Sequence, residues 1–126
     1  MNPSTGQVYV CEFEGERVQR FSATGRYETA WGRSGSDEGE FDSPVGVSVD
    51  ASGRVYVADA GNNRIQVFSA DGDYLTKFGS SGSSKGKMKS PHAVAFGPKG
   101  LVYVVDTGNN RVERWHMTEP PTVTIR

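Results

Sequence analysis

Gly53-Arg54-Val55-Tyr56-Val57-Ala58-Asp59-Ala60-Gly61-Asn62-Asn63-Arg64-Ile65-Gln66-Val67-Phe68 decides how this chain is read, because it comes back twice at one spacing. Forty-seven residues later it is Gly100-Leu101-Val102-Tyr103-Val104-Val105-Asp106-Thr107-Gly108-Asn109-Asn110-Arg111-Val112-Glu113-Arg114-Trp115. Forty-seven residues earlier, Gly6, Val8, Tyr9, Val10, Arg17, Val18 and Phe21 keep the same places. The linking segments register as well. Gly25, Tyr27, Trp31, Gly32, Gly35, Gly39, Phe41, Ser43, Pro44 and Val47 line up with Gly72, Tyr74, Phe78, Gly79, Gly82, Gly86, Met88, Ser90, Pro91 and Val94. A fixed period of this length is the mark of a repeat architecture, and the repeating unit is the whole 47 residues.

Within one unit the apolar residues fall in four short runs bounded by turn formers, none with helical spacing long enough for a stable helix. The pattern predicts strands at 45–50, 54–59, 64–69 and 74–78. Ala51-Ser52-Gly53, Ala70-Asp71-Gly72 and Gly61-Asn62-Asn63 supply the turns between them. An antiparallel meander follows. Its second strand, Val55-Tyr56-Val57-Ala58, is apolar on both faces, so each sheet must be covered on both sides.

Composition agrees. The chain has 126 residues, 35% hydrophobic and 23% charged, with 16 glycines and 6 prolines, enough for one domain that turns often and too little for a two-domain enzyme. Fourteen basic against fifteen acidic residues leave a net charge of -1, so no overall field draws the protein to nucleic acid or an anionic membrane. The single cysteine, Cys11, excludes an internal disulfide framework. No stretch reaches the roughly 18 apolar residues of a membrane span. Met1-Asn2-Pro3-Ser4 has neither the basic start nor the apolar core of a signal peptide.

A four-stranded meander repeated every 40 to 50 residues, its sheets sandwiched by their neighbours, specifies a β-propeller blade. Pro44-Val45-Gly46-Val47-Ser48-Val49-Asp50, Gly53 to Asp59, Asn63 to Phe68, and Phe78-Gly79 with the glycine-rich run after it resemble successive pieces of the NHL repeat. The resemblance covers almost the whole chain. The first copy departs where Glu12-Phe13-Glu14-Gly15-Glu16 replaces Asp59-Ala60-Gly61-Asn62-Asn63, which bears on that turn and not on the blade. The expected fold is therefore an all-β propeller segment of three four-stranded antiparallel blades, half of a six-bladed propeller.

The expected propeller segment runs over 1–117, with blade units at about 1–43, 44–90 and 91–126. The first blade has no room for its own inner strand. Residues 118–126 are a closing strand or an exit linker, since Pro120-Pro121 followed by Thr122-Val123-Thr124-Ile125 suits both.

Alternation of strand direction puts the turns after the second strands and the long loops Arg33 to Ser43 and Ser80 to Ser90 on one rim, where functional residues of such scaffolds gather. The binding candidates on that rim are Asn63, Arg64, Lys85, Lys87, Lys89, His92, Asn110 and Arg111. Asp59 and Asp106 read as structural staples that pair with the arginine five residues on. The loops carry opposite charge: Asp37, Glu38, Glu40 and Asp42 in one, Lys85, Lys87 and Lys89 in the other.

The resemblance implies two further chemistries. RNA-binding members of the NHL family use a basic rim, but the aromatics and arginines that should stack on bases are scarce here and the acidic loop lies next door. Peptidylglycine-amidating lyases, similar six-bladed propellers, hold a catalytic zinc through histidines in Pro-His-x-aliphatic segments. Only Pro91-His92-Ala93-Val94 matches, and a catalytic zinc takes about three protein ligands, so His92 serves a metal only if it is shared between chains. No Ser/His/Asp or Cys/His set is placed for catalysis. The sequence thus points to a non-catalytic binding or scaffolding module without a cofactor, suited to a secreted or cell-surface parent. Its partners would be an unknown protein or small ligand at the rim, and either the remainder of a longer propeller or a second copy closing a six-bladed ring.

Overall fold

In the computed structural model, which describes residues 2–118 and 121–126, eleven strands form three antiparallel sheets. The first sheet holds β1 (Val8–Glu12), β2 (Arg17–Phe21) and β3 (Tyr27–Trp31) in that order. The second holds β4 (Pro44–Val49), β5 (Val55–Asp59), β6 (Arg64–Phe68) and β7 (Tyr74–Phe78). The third holds β8 (Pro91–Phe96), β9 (Leu101–Asp106), β10 (Arg111–Thr118) and β11 (Thr122–Ile125). Each is a blade in which chain order equals spatial order, and among the described residues the first has no inner strand. Three consecutive blades of this kind are a β-propeller segment, consistent with half of a six-bladed ring.

The repeat dictates the stacking. Val55 and Val57 turn toward the first blade and join Tyr9, Val18, Phe41 and Phe68 in one core, all at most 6% exposed. Tyr56 and Ala58, on the opposite face of the same strand, join Ile65, Val67, Phe78, Val102, Val104 and Trp115 in the second. Both faces of the middle sheet are therefore dry, as its doubly apolar second strand required.

Thr122–Ile125 is a strand: Trp115 pairs with Ile125 and Met117 with Val123 in antiparallel register on β10. It closes the outer edge of its own blade. Of the segment 118–126, Glu119 and Pro120 lie outside the described residues. The two long connections fold alike, each drawn closed by a parallel bridge, Ser34 with Phe41 and Ser81 with Met88. Phe41 and Met88 are fully buried against Gly32 and Gly79, whose φ of +108° and +94° and the 2.6 Å approach of a would-be Cβ to the partner side chain leave room for glycine alone.

Candidate functional site

The rim candidates converge on two copies of one device. A short 3₁₀ turn, Ala60–Asn62, leaves β5 and ends on Asn63 in the left-handed region, which sends the chain back along β6. Asp59, at the end of β5, is fully buried. Its Oδ2 accepts from Arg64 Nε at 2.8 Å, Asn62 Nδ2 at 3.0 Å and Gln66 Nε2 at 3.2 Å, while Oδ1 accepts from the Asp42 amide at 2.7 Å. The remaining guanidinium nitrogens of Arg64 donate to the carbonyls of Ser36, Asp37 and Glu40, each at 2.9 Å. Arg64 thus clamps the preceding loop by its backbone. The fork geometry of arginine suits this, since one planar group reaches four acceptors.

The third blade repeats the clamp. Asp106 accepts from Arg111 Nε at 2.9 Å, Asn109 Nδ2 at 2.9 Å and the Lys89 amide at 2.7 Å. Arg111 donates to the carbonyls of Ser83, Ser84 and Lys87. Asn63 and Asn110 both hold the left-handed turn position, and Asn63 Oδ1 also accepts from the Ser90 amide of the next blade at 3.0 Å. In the first blade Glu16 does the same for Ser43, although the turn around it closes differently, through Glu16 N to Glu12 O. Glu12, Arg17 and Gln19 form a third acid-arginine-amide set on that blade.

One position breaks the symmetry. Gln66 both accepts from the Gly39 amide and donates to the Glu40 carbonyl at 2.7 Å. At its equivalent, Glu113 Oε2 accepts from the Gly86 amide and pairs with Arg111 at 3.1 Å, while Oε1 is buried without a partner. A carboxylate has no hydrogen to give where the amide gives one. Glu113→Gln should therefore raise stability by about 1 kcal/mol, read as a higher urea midpoint at unchanged slope; a lower midpoint would contradict this account of the position.

What remains exposed on this rim is loop side chains. Asp37, Glu38 and Asp42 stand out from the first loop and Lys85, Lys87 and Lys89 from the second. Glu40 points back: the Asp37 amide and then Arg33 donate to it and hold its carboxyl below the ordinary range. His92 occupies a register shift between Pro91 and Ala93 on the inner strand β8, a bulge that turns its exposed ring out of the ladder. Its carbonyl lies so near Gly46 of β4 that a Cβ there would come to 2.3 Å, so the inner strands of two blades meet at this point. The described residues hold no group of three or more His, Cys, Asp or Glu side chains placed for a metal ion, so the donors around His92 do not fit a catalytic zinc. His116 lies elsewhere, bonded to the Lys99 carbonyl. Cys11 is half-buried, and burial pushes its thiol up, which keeps the reactive thiolate scarce.

Residues 41–68 and 88–115 match the NHL repeat. No curated protein matches the sequence. Among solved structures, a streptogramin B lyase superposes with a TM-score of 0.71 at 18% identity over 99% of this chain and 38% of its own. Virginiamycin B lyase from Staphylococcus aureus does so with 0.71 at 14% identity over 99% and 39%. An auxiliary nutrient binding protein from Bacteroides thetaiotaomicron VPI-5482 gives 0.69 at 15% identity over 89% and 35%. The chain therefore spans well under half the length of these neighbours, which share its fold. The chain therefore carries NHL repeats on its second and third blades, with the first blade in register with them, and is similar in fold to β-propeller proteins.

Proposed function

We propose that this chain is a non-catalytic binding module that engages a charged protein segment through the rim bearing the two long loops. One observation carries the reading: the loops are irregular in path yet fixed at the backbone by the buried Arg64 and the half-buried Arg111, and they present opposite charges on one rim. Ordering a loop before binding lowers the entropic cost of association, so exposed charges on a clamped loop serve recognition better than the same charges on a free one. Complementary charge sets orientation and on-rate more than affinity. The arginines and Asn63, Asn110 support the rim from beneath, and Asp37, Glu38, Lys85, Lys87 and His92 make the contact.

The test is fluorescence anisotropy with a labelled peptide carrying one acidic and one basic half. Lys85→Glu with Lys87→Glu should weaken binding at least tenfold and leave the thermal midpoint within about 2 °C, because both side chains are exposed. Unchanged affinity would overturn the reading. So would tight, steeply salt-dependent binding of a single-stranded RNA oligomer, the mark of phosphate recognition. A lyase reading draws on the neighbours named above and on the exposed His92 of the inner strand; stoichiometric zinc by elemental analysis of the purified chain would favour it instead.

A further inference from the structure

At the junction of the first and second blades, Tyr9 and Arg20 leave neighbouring strands and meet on one backbone carbonyl. Tyr9 Oη donates to Ala70 O at 2.9 Å and Arg20 Nη1 donates to the same oxygen at 2.7 Å, with the Asp71 carboxylate 2.8 Å from the guanidinium. Ala70 lies in the β6–β7 turn, closed by Gly72 N to Ser69 O and Ser69 N to Asp73 O. Trp31 of the first blade covers that turn, so close to Gly72 that a Cβ would stand 2.6 Å away. At the next junction the equivalent pair is Tyr56 and Val67, and the arginine is gone.

The pair returns on the outward face of the third blade as Tyr103 and Arg114. There, among the described residues, neither side chain has a hydrogen-bond partner. The receptor for such a pair stands at the opposite end of the chain. The β2–β3 turn is closed by the same two bonds, Gly25 N to Ser22 O and Ser22 N to Arg26 O, and the space over Gly25 is empty to 4 Å. The flanking faces match too. Val8 and Val10, 37% and 42% exposed, occupy the places of Val55 and Val57, which are fully buried against the preceding blade. Val105 and Val112, 40% and 61% exposed, occupy those of Ala58 and Ile65, fully buried against the following one.

We propose that the third blade of one copy docks on the first blade of a second copy, with Tyr103 and Arg114 donating to the carbonyl of the partner's Ala23. Apart from the inner strand that the first blade lacks, the two end faces thus carry the two halves of the junction between the first and second blades. At the place of Asp71 the first blade has Thr24, so a hydroxyl takes the part of the carboxylate. A head-to-tail contact forms a closed ring only when its rotation closes, and otherwise runs on as a filament. Two chains of three blades joined in this way at both ends make a ring of six, in which the first blade of each copy brings no inner strand to its junction. The surface used is the sheet face, separate from the loop rim, so this proposal stands or falls independently of the binding reading.

Sedimentation equilibrium of the full chain at micromolar concentration should give twice 13.6 kDa. Val10→Asp and Val112→Asp, on opposite ends, should each weaken the dimer at least tenfold, and Arg114→Ala by a smaller factor. Circular dichroism should be unchanged, since all three side chains are exposed in one copy. Mixing the two aspartate variants leaves one intact junction and should yield a one-to-one complex. A monomer, a larger assembly, or a dimer indifferent to both substitutions overturns the proposal.

Discussion

Asp59→Ala should destabilise the chain by about 3–5 kcal/mol, the largest loss expected from any single polar substitution in it. The carboxylate is fully buried and receives four hydrogen bonds, one from a guanidinium that is itself only 6% exposed. Its removal leaves Arg64 charged, desolvated and facing three neutral carbonyls. Uncompensated burial of that charge costs more than the hydrogen bonds themselves are worth. Asp59→Asn keeps the shape and loses the charge, and should fall between the two. Urea denaturation at matched slope measures both, and a loss below about 1 kcal/mol for the alanine variant would contradict the clamp.

Tyr56→Ala should cost a similar amount, about 3–5 kcal/mol, for a different reason. The ring is 1% exposed, packs edge-on to Phe96 of the next blade with centroids 4.8 Å apart, and its hydroxyl donates to Asp50 at 3.2 Å. Truncation opens a cavity between two sheets that can move together only by shifting whole blades. Tyr103, its repeat equivalent on the outward face, has no following blade within the chain and should cost far less in the isolated monomer. Equal losses for the two tyrosines would contradict the stacking order.

The 47-residue period made the strands legible, because register between copies exposes the apolar alternation that a single short strand shows weakly. Turn chemistry was legible for the same reason: Asn63 and Asn110 stand where a left-handed residue is needed. The bonding of the clamp was not. Arg64 reaches Ser36, Asp37 and Glu40 through their carbonyls, and a backbone acceptor leaves no trace in residue identity. Asn62 and Asn109 had a trace, recurring three residues after each aspartate, but an asparagine in a turn reads first as a turn former. Gln66 had none, since Glu113 replaces it in the copy and Gln19 recurs only in the departing first blade. The C-terminal strand stayed open in the sequence because Pro120-Pro121 suits a linker equally well, and only pairing with β10 decides it.

The account rests on the long loops being ordered by buried side chains, and amide hydrogen exchange tests that most directly. The Gly39, Asp42, Gly86 and Lys89 amides lie in exposed loops and donate to Gln66, Asp59, Glu113 and Asp106. They should exchange as slowly as strand amides of β5 and β9, and Asp59→Ala should free Gly39 and Asp42 while leaving Gly86 and Lys89 protected. Exchange of all four at the rate of an unstructured chain would contradict the account.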